Sequence, residues 1–142
     1  MMKINAGITL IELLLVIAIV ALLGAAATPF LSSFVLRTNF DATGQKVVSS
    51  IRKAQGYAMD GKQSQVWGVC KSGNYIRLFS GSCSSPVVSE NFLIPSSINI
   101  SGLSETTFNL RGEPSEALLI SVTSGLESET IGVNAAGGMT IN

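Results

Sequence analysis

Few side chains in this sequence could do chemistry. The most unusual is Glu12, a carboxylate at the start of a run in which no charged residue occurs from Leu13 to Leu36. A carboxylate at the centre of a membrane-spanning helix costs roughly 2.5–3.5 kcal/mol on insertion scales, less near an interface, so such a residue marks a role. The plainer alternative is a side chain that snorkels to the headgroups. Two thiols, Cys70 and Cys83, and two nearby carboxylates, Glu113 and Glu116, complete the inventory. The chain contains no histidine, which removes the commonest general base and metal ligand. The cysteines lack a zinc-like spacing, and neither a phosphate-cradling glycine loop nor a nucleophile elbow is present. Glu113 and Glu116 sit in a Pro-containing stretch and read as solvated surface. The sequence thus indicates no enzyme, no metal and no cofactor.

The element that must position Glu12 is a helix. Leu13 to Leu23 are apolar on every face, so the segment is no surface-lying amphipathic helix. A helix over Leu13 to Leu36 rises about 36 Å, enough for a hydrocarbon core of about 30 Å. Beyond Pro29, Phe40, Gly44, Val47, Ile51, Ala54 and Ala58 recur at intervals of three or four and predict one buried face. Gly44, Ala54 and Ala58 are small enough to let a sheet approach closely. Gly61 supplies a left-handed stop. One helix is expected from about residue 9 to 60, bent near Pro29, with Gly44 and Gly56 weakening it locally.

The segment Gly7-Ile8-Thr9-Leu10-Ile11-Glu12 and the apolar run after it resemble the cleavage site of type IV prepilins and pseudopilins. The resemblance implies that a membrane peptidase cuts between Gly7 and Ile8 and that Ile8 becomes an N-methylated first residue. Glu12 then takes the glutamate's place in the mature chain, and Pro29 the place of a helix-bending proline. Ile8 departs from the usual phenylalanine but is also bulky and apolar. Cleavage would create an α-amine four residues from Glu12 on the same helical face, where the charges can meet. In a fibre, the amine of one subunit can pair with Glu12 of its neighbour, fixing register while neutralising a costly buried charge. A carboxylate near a helix N-terminus is also favoured by the macrodipole. The competing reading is an ordinary signal peptide cut after Ala25-Ala26-Ala27, before Thr28. Against it, Glu12 interrupts the charged-then-apolar order and Pro29 follows the cut.

Lys3 gives a positive-inside signal: a single pass with a cytoplasmic N-terminus and an exported C-terminal domain. Formal net charge is zero, so no global pull toward nucleic acid exists. The charge is unevenly placed, however. Basic residues Arg37, Lys46, Arg52, Lys53, Lys62, Lys71 and Arg77 precede an acidic region from Glu90 to Glu129. This reads as solvated surface or as a dipole for subunit contacts.

From Gln65 onward the pattern changes to strands. Val66–Cys70 and Tyr75–Phe79 flank a predicted hairpin loop, Lys71-Ser72-Gly73-Asn74. Thr106–Leu110, Leu118–Val122, Ile131 with Val133, and Met139 with Ile141 read as further strands. In an exported domain Cys70 and Cys83 invite a disulfide, although with this loop Cys70 faces Tyr75 and Ser80–Ser82 must double back; two buried thiols are the alternative. The tail from Thr106 to Met139 is similar to the C-terminal region of H-type pseudopilins of type II secretion and related minor pilins, through Phe108, Gly112, Leu118–Val122 and a Gly137-Gly138 turn.

The expected fold is therefore α+β: a long N-terminal helix, membrane-spanning in its first half and amphipathic in its second, packed on antiparallel sheet. The expected divisions are a leader at 1–7, an assembly helix at 8–36, an amphipathic helix at 37–63 and a β-rich domain at 64–142. The resemblance implies a minor subunit of a secretion pseudopilus or pilus in the bacterial inner membrane. Its partners would be other pilin subunits, the prepilin peptidase and methyltransferase, an inner-membrane assembly platform, and lipid before assembly. A major pilin is one alternative. Another is DNA capture by Lys46, Arg52, Lys53 and Lys62, with Tyr57 or Trp67 stacking on bases; the zero net charge and acidic tail argue against nucleic acid.

Overall fold

Leu, Ile, Val and Ala follow Thr9 with no breaker, and the helix begins there. The computed structural model describes residues 8–125 and 127–142, except for the side chains of 26–29. Helix α1 spans Leu10–Met59. Thr9 caps it: its Oγ1 accepts the Glu12 N–H at 3.3 Å, and its carbonyl accepts the same N–H at 3.1 Å. Pro29 falls within α1, but its side chain and the bend expected there lie outside the described residues.

The chain divides into two units, the first ending at Val35 and the second spanning Leu36–Asn142. In the first, the described large apolar side chains lie exposed: Leu10, Leu15, Val20, Leu22, Phe30 and Leu31 are 58–77% exposed. An 18-residue window of α1 reaches a mean hydropathy of 2.8, which by length and composition suffices to cross a membrane.

In the second unit the expected stripe is the buried one. Phe40, Gly44, Val47, Ile51, Ala54 and Ala58 are all buried, joined by Thr43 and Ser50. Those two hydroxyls are satisfied within the helix, Thr43 Oγ1 donating to Asn39 O and Ser50 Oγ to Lys46 O, each at 2.7 Å. Gly61 ends the helix at φ 59°, its N–H bonding Ala58 O at 3.1 Å. A 3₁₀ turn, Lys62–Ser64, follows, with Gln63 and Ser64 also at positive φ. The indole N–H of Trp67 holds it by donating to Lys62 O at 2.9 Å.

Among the described residues, eight strands form two antiparallel sheets: β1 Trp67–Ser72, β2 Tyr75–Gly81, β3 Pro86–Leu93, β4 Asn99–Ser101, β5 Thr106–Phe108, β6 Leu118–Thr123, β7 Ser128–Val133 and β8 Met139–Ile141. Their orders are β3-β2-β1-β5 and β4-β6-β7-β8. A single core joins α1 to both: Val47, Ile51 and Ala54 meet Val69, Ile76 and Leu78 of one sheet and Ile100, Ile120 and Ile131 of the other. The architecture is α+β, as expected from the switch in periodicity.

Three local readings need correction. The hairpin loop is not Lys71–Asn74. Lys71 and Ser72 stay in β1, paired with Ile76 and Tyr75, so only Gly73-Asn74 turn. Gly73 at φ 58° supplies the positive φ that the first central position of a two-residue hairpin needs. The strand expected at Thr106–Leu110 stops at Phe108, because Asn109 Oδ1 accepts the N–H groups of Arg111 (2.8 Å) and Glu113 (3.0 Å) and forms an Asx turn. Strands β3 and β4 were not expected. β3 lies at a sheet edge, its residues mostly exposed, and is held by backbone pairing to β2 with little hydrophobic alternation to reveal it.

Candidate functional site

Within the first unit the candidate site is the start of α1. Glu12 occupies its first turn, where a carboxylate complements the helix dipole. Ile8, Glu12, Leu13, Val16 and Ile17 lie together along one side. Ile8 is 75% exposed, and the large apolar residues next to Glu12 along the chain are also exposed. One carboxylate thus stands on an apolar rod that the chain itself leaves bare. Gly7, the residue before the expected cut, lies outside the described residues. Thr9 was missed by the sequence reading, although Thr9-x-x-Glu12 is a capping-box pattern that could have signalled it. The cap uses the backbone N–H of Glu12, so it gives Thr9 a structural role independent of any cleavage.

In the second unit Cys70 and Cys83 form a disulfide with Cα atoms 6.3 Å apart. The corrected hairpin register explains how they meet. Cys70 faces Arg77 and not Tyr75, and the register shifts at Ser80/Gly81, where Gly81 adopts φ 89°. The chain turns back there, and two side chains hold the returning loop: Arg77 Nη1 donates to Cys83 O, and the Cys83 N–H donates to Glu105 Oε1, both at 2.8 Å.

Of the basic residues considered for a nucleic-acid stripe, Lys46, Lys53 and Lys62 make contacts within the fold. Lys53 Nζ bonds Glu90 Oε2 at 2.9 Å, and Glu90 raises the lysine pKa above its usual value through this hydrogen bond and charge attraction. Lys46 and Lys53 stand over the Phe92 ring at 5.0 and 5.7 Å. Lys62 Nζ sits 3.4 Å from the Tyr57 ring centroid. Arg52 and Lys53 both line a groove that also holds Asp41 and Glu129. Trp67, considered as a stacking platform, is only 2% exposed and packs edge-on against Tyr57 at 4.8 Å. The basic and acidic halves of the sequence meet within the fold, through Lys53–Glu90 and Arg37–Glu127 (3.4 Å).

Gln55 also escaped the sequence reading. Its Nε2 donates to Gly112 O (3.1 Å) and Gly137 O (2.8 Å), tying two loops to the C-terminal part of α1. No sequence signal marks it, since its partners are backbone carbonyls distant in the chain. Among the described residues no group of His, Cys, Asp or Glu could hold a metal ion.

Residues 2–28 match the family described as the prokaryotic N-terminal methylation motif. The match covers Gly7, Ile8 and Glu12 together with most of the apolar run. No curated protein and no solved structure matches the chain.

Proposed function

We propose that this protein is a type IV pilin-like structural subunit, cut by a prepilin peptidase between Gly7 and Ile8, methylated at Ile8, and polymerised through its N-terminal helix. The observation that carries the reading is the bare apolar rod with a single carboxylate in its first turn, under a methylation motif. Side chains this apolar need lipid or one another, since transfer of a fully exposed Leu, Ile or Val from water is favourable by about 1.5–3 kcal/mol. Before assembly, the segment at 8–36 spans the inner membrane with its N-terminus in the cytoplasm. During assembly the helices leave lipid for a bundle core, and the folded unit, with residues 37–63 as its helix and 64–142 as its sheets, lies outside.

Glu12 acts as the registration group in this reading. Its charge is tolerated in an apolar phase because the new α-amine of Ile8, on its own or a neighbouring subunit, neutralises it. The role is structural, not catalytic. The tail resemblance favours a minor subunit of a type II secretion pseudopilus or a pilus, and abundance in purified fibres separates minor from major. The deciding experiment is the mature N-terminus by mass spectrometry. N-methylated Ile8 is expected, whereas a chain beginning at Thr28 would discard the rod and sink the proposal. With maturation at Ile8, Glu12→Ala is expected to insert in the membrane at wild-type level and fail to enter fibres.

A further inference from the structure

An open groove of about 600 Å³ runs between α1 and the β7–β8 edge of the second sheet. Gly44, Val48 and Ile141 form its apolar lining, and Ile141 is 51% exposed. Its charges are separated along the helix, with Lys53, already paired to Glu90, next to Arg52. Asp41 lies at one end, and Glu129 is level with Gly44, since a Cβ on Gly44 would stand 2.5 Å from Glu129 Oε2. Arg52 lies toward the other end, about 12 Å from Gly44 and about 16 Å from Asp41 by helical rise. Among the described residues, none of Asp41, Glu129 and Arg52 is in an ion pair.

A second surface of the same unit carries the complementary pattern. In the loop at 110–116, Leu110 is 73% exposed, and Arg111 and Glu116 are exposed and outside any ion pair among the described residues. The two charges are five residues apart, a span of at most about 17 Å; Glu113 between them accepts a hydrogen bond from Asn109 Nδ2 at 2.7 Å. The loop is already ordered by the Asn109 turn and by the Gln55 bond to Gly112 O, so docking would immobilise little that is free.

We propose that this groove receives the 110–116 loop of a second copy of the chain. Leu110 packs on Val48 and Ile141, Arg111 faces Asp41 and Glu129, and Glu116 faces Arg52. The two surfaces differ, so the contact is heterologous, and its repetition gives an open head-to-tail array and no closed dimer. The inference rests on the fibre-subunit reading and adds which faces of the folded units meet. It requires neighbouring copies of this chain, and so holds only for a subunit that stands beside copies of itself in the fibre.

The test uses the full chain in cells that assemble it. Arg52→Glu and Glu116→Arg are each expected to lower the amount in sheared fibres about fivefold or more. The double variant, with the charges exchanged, is expected to regain at least about half of the wild-type amount, because the like-charge juxtaposition is removed. Retention of the Cys70–Cys83 bridge and of the membrane pool controls for folding. A benzophenone amino acid replacing Ile141 in the otherwise wild-type chain is expected to give a crosslink at twice the subunit mass that contains the 110–116 peptide. Singles that enter fibres normally, a double no better than the singles, or a crosslink to another protein would overturn the contact while leaving the subunit reading standing. Wild-type chain absent from fibres would instead sink both.

Discussion

Replacing Cys70 and Cys83 together by alanine removes a crosslink with a sequence separation of 13. In the chain-entropy description a loop of this size restrains the unfolded chain by about 10 cal/mol/K, or about 3 kcal/mol at 25 °C. The folded side changes little. Cys83 keeps its hydrogen bonds to Arg77 and Glu105, and only Cys70, 1% exposed, leaves a small void on truncation. The loss is therefore assigned to the unfolded state. For a domain of this size each kcal/mol corresponds to about 4–8 °C in Tm, so the expected drop is about 12–24 °C. Trp67 fluorescence is the suitable readout, because this indole is buried in β1, near Cys70, and reports the second unit alone. Detergent-solubilised full chain would be melted as wild type, as reduced wild type and as the double variant. A drop under about 5 °C in the double variant would refute the entropic argument. A reduced wild type that melts far from the double variant would place the effect in side-chain packing.

Three further outcomes are expected. Gln55→Ala strands the Gly112 and Gly137 carbonyls and is expected to cost about 1–3 kcal/mol in urea unfolding, with faster proteolysis in the loops at 109–114 and 134–138. Gly68→Ala and Gly44→Ala should differ in sign. A Cβ at Gly68 meets the Thr106 carbonyl and stands 2.7 Å from Phe79 Cζ, which implies a loss of about 1–3 kcal/mol, whereas at Gly44 it meets only the flexible end of Glu129 and gains up to about 1 kcal/mol of helix propensity. The Lys53–Glu90 pair is exposed and contributes little, but the sign of its pH dependence is definite. The folded-state pKa of Lys53 is raised, so its contribution is complete below the unfolded value of about 10.4 and is lost as pH rises through the folded value. The Tm difference between wild type and Glu90→Gln should accordingly be constant from pH 7 to 9 and vanish at higher pH; a difference that grew with alkalinity would contradict the assignment.

The helical half of the fold was legible because its cause is local. An all-apolar run and a stripe at three- and four-residue spacing each state a period, and a glycine able to take φ 59° states a stop. Strands with buried, alternating faces, such as β6 with Leu118, Ile120 and Val122, could be read in the same way. Edge strand β3 could not. Its outward residues carry no pattern, and it exists because β2 offers it a row of backbone partners. The hairpin was misjudged by two residues for a related reason. Gly73-Asn74 and the longer Lys71–Asn74 are both acceptable turn sequences, and pairing of Ser72 with Tyr75 selects the shorter.

The sequence alone determined the apolar rod, the carboxylate at its head, the N-terminal methylation motif and the α+β class, since each depends on the order and character of neighbouring residues. Tertiary structure decided how Cys83 reaches Cys70, that Lys53 turns to Glu90, that Trp67 is buried, and that Gln55 holds two loops. These are contacts between segments tens of residues apart. Their energies depend on distances that only the packed core imposes, and no local pattern records them.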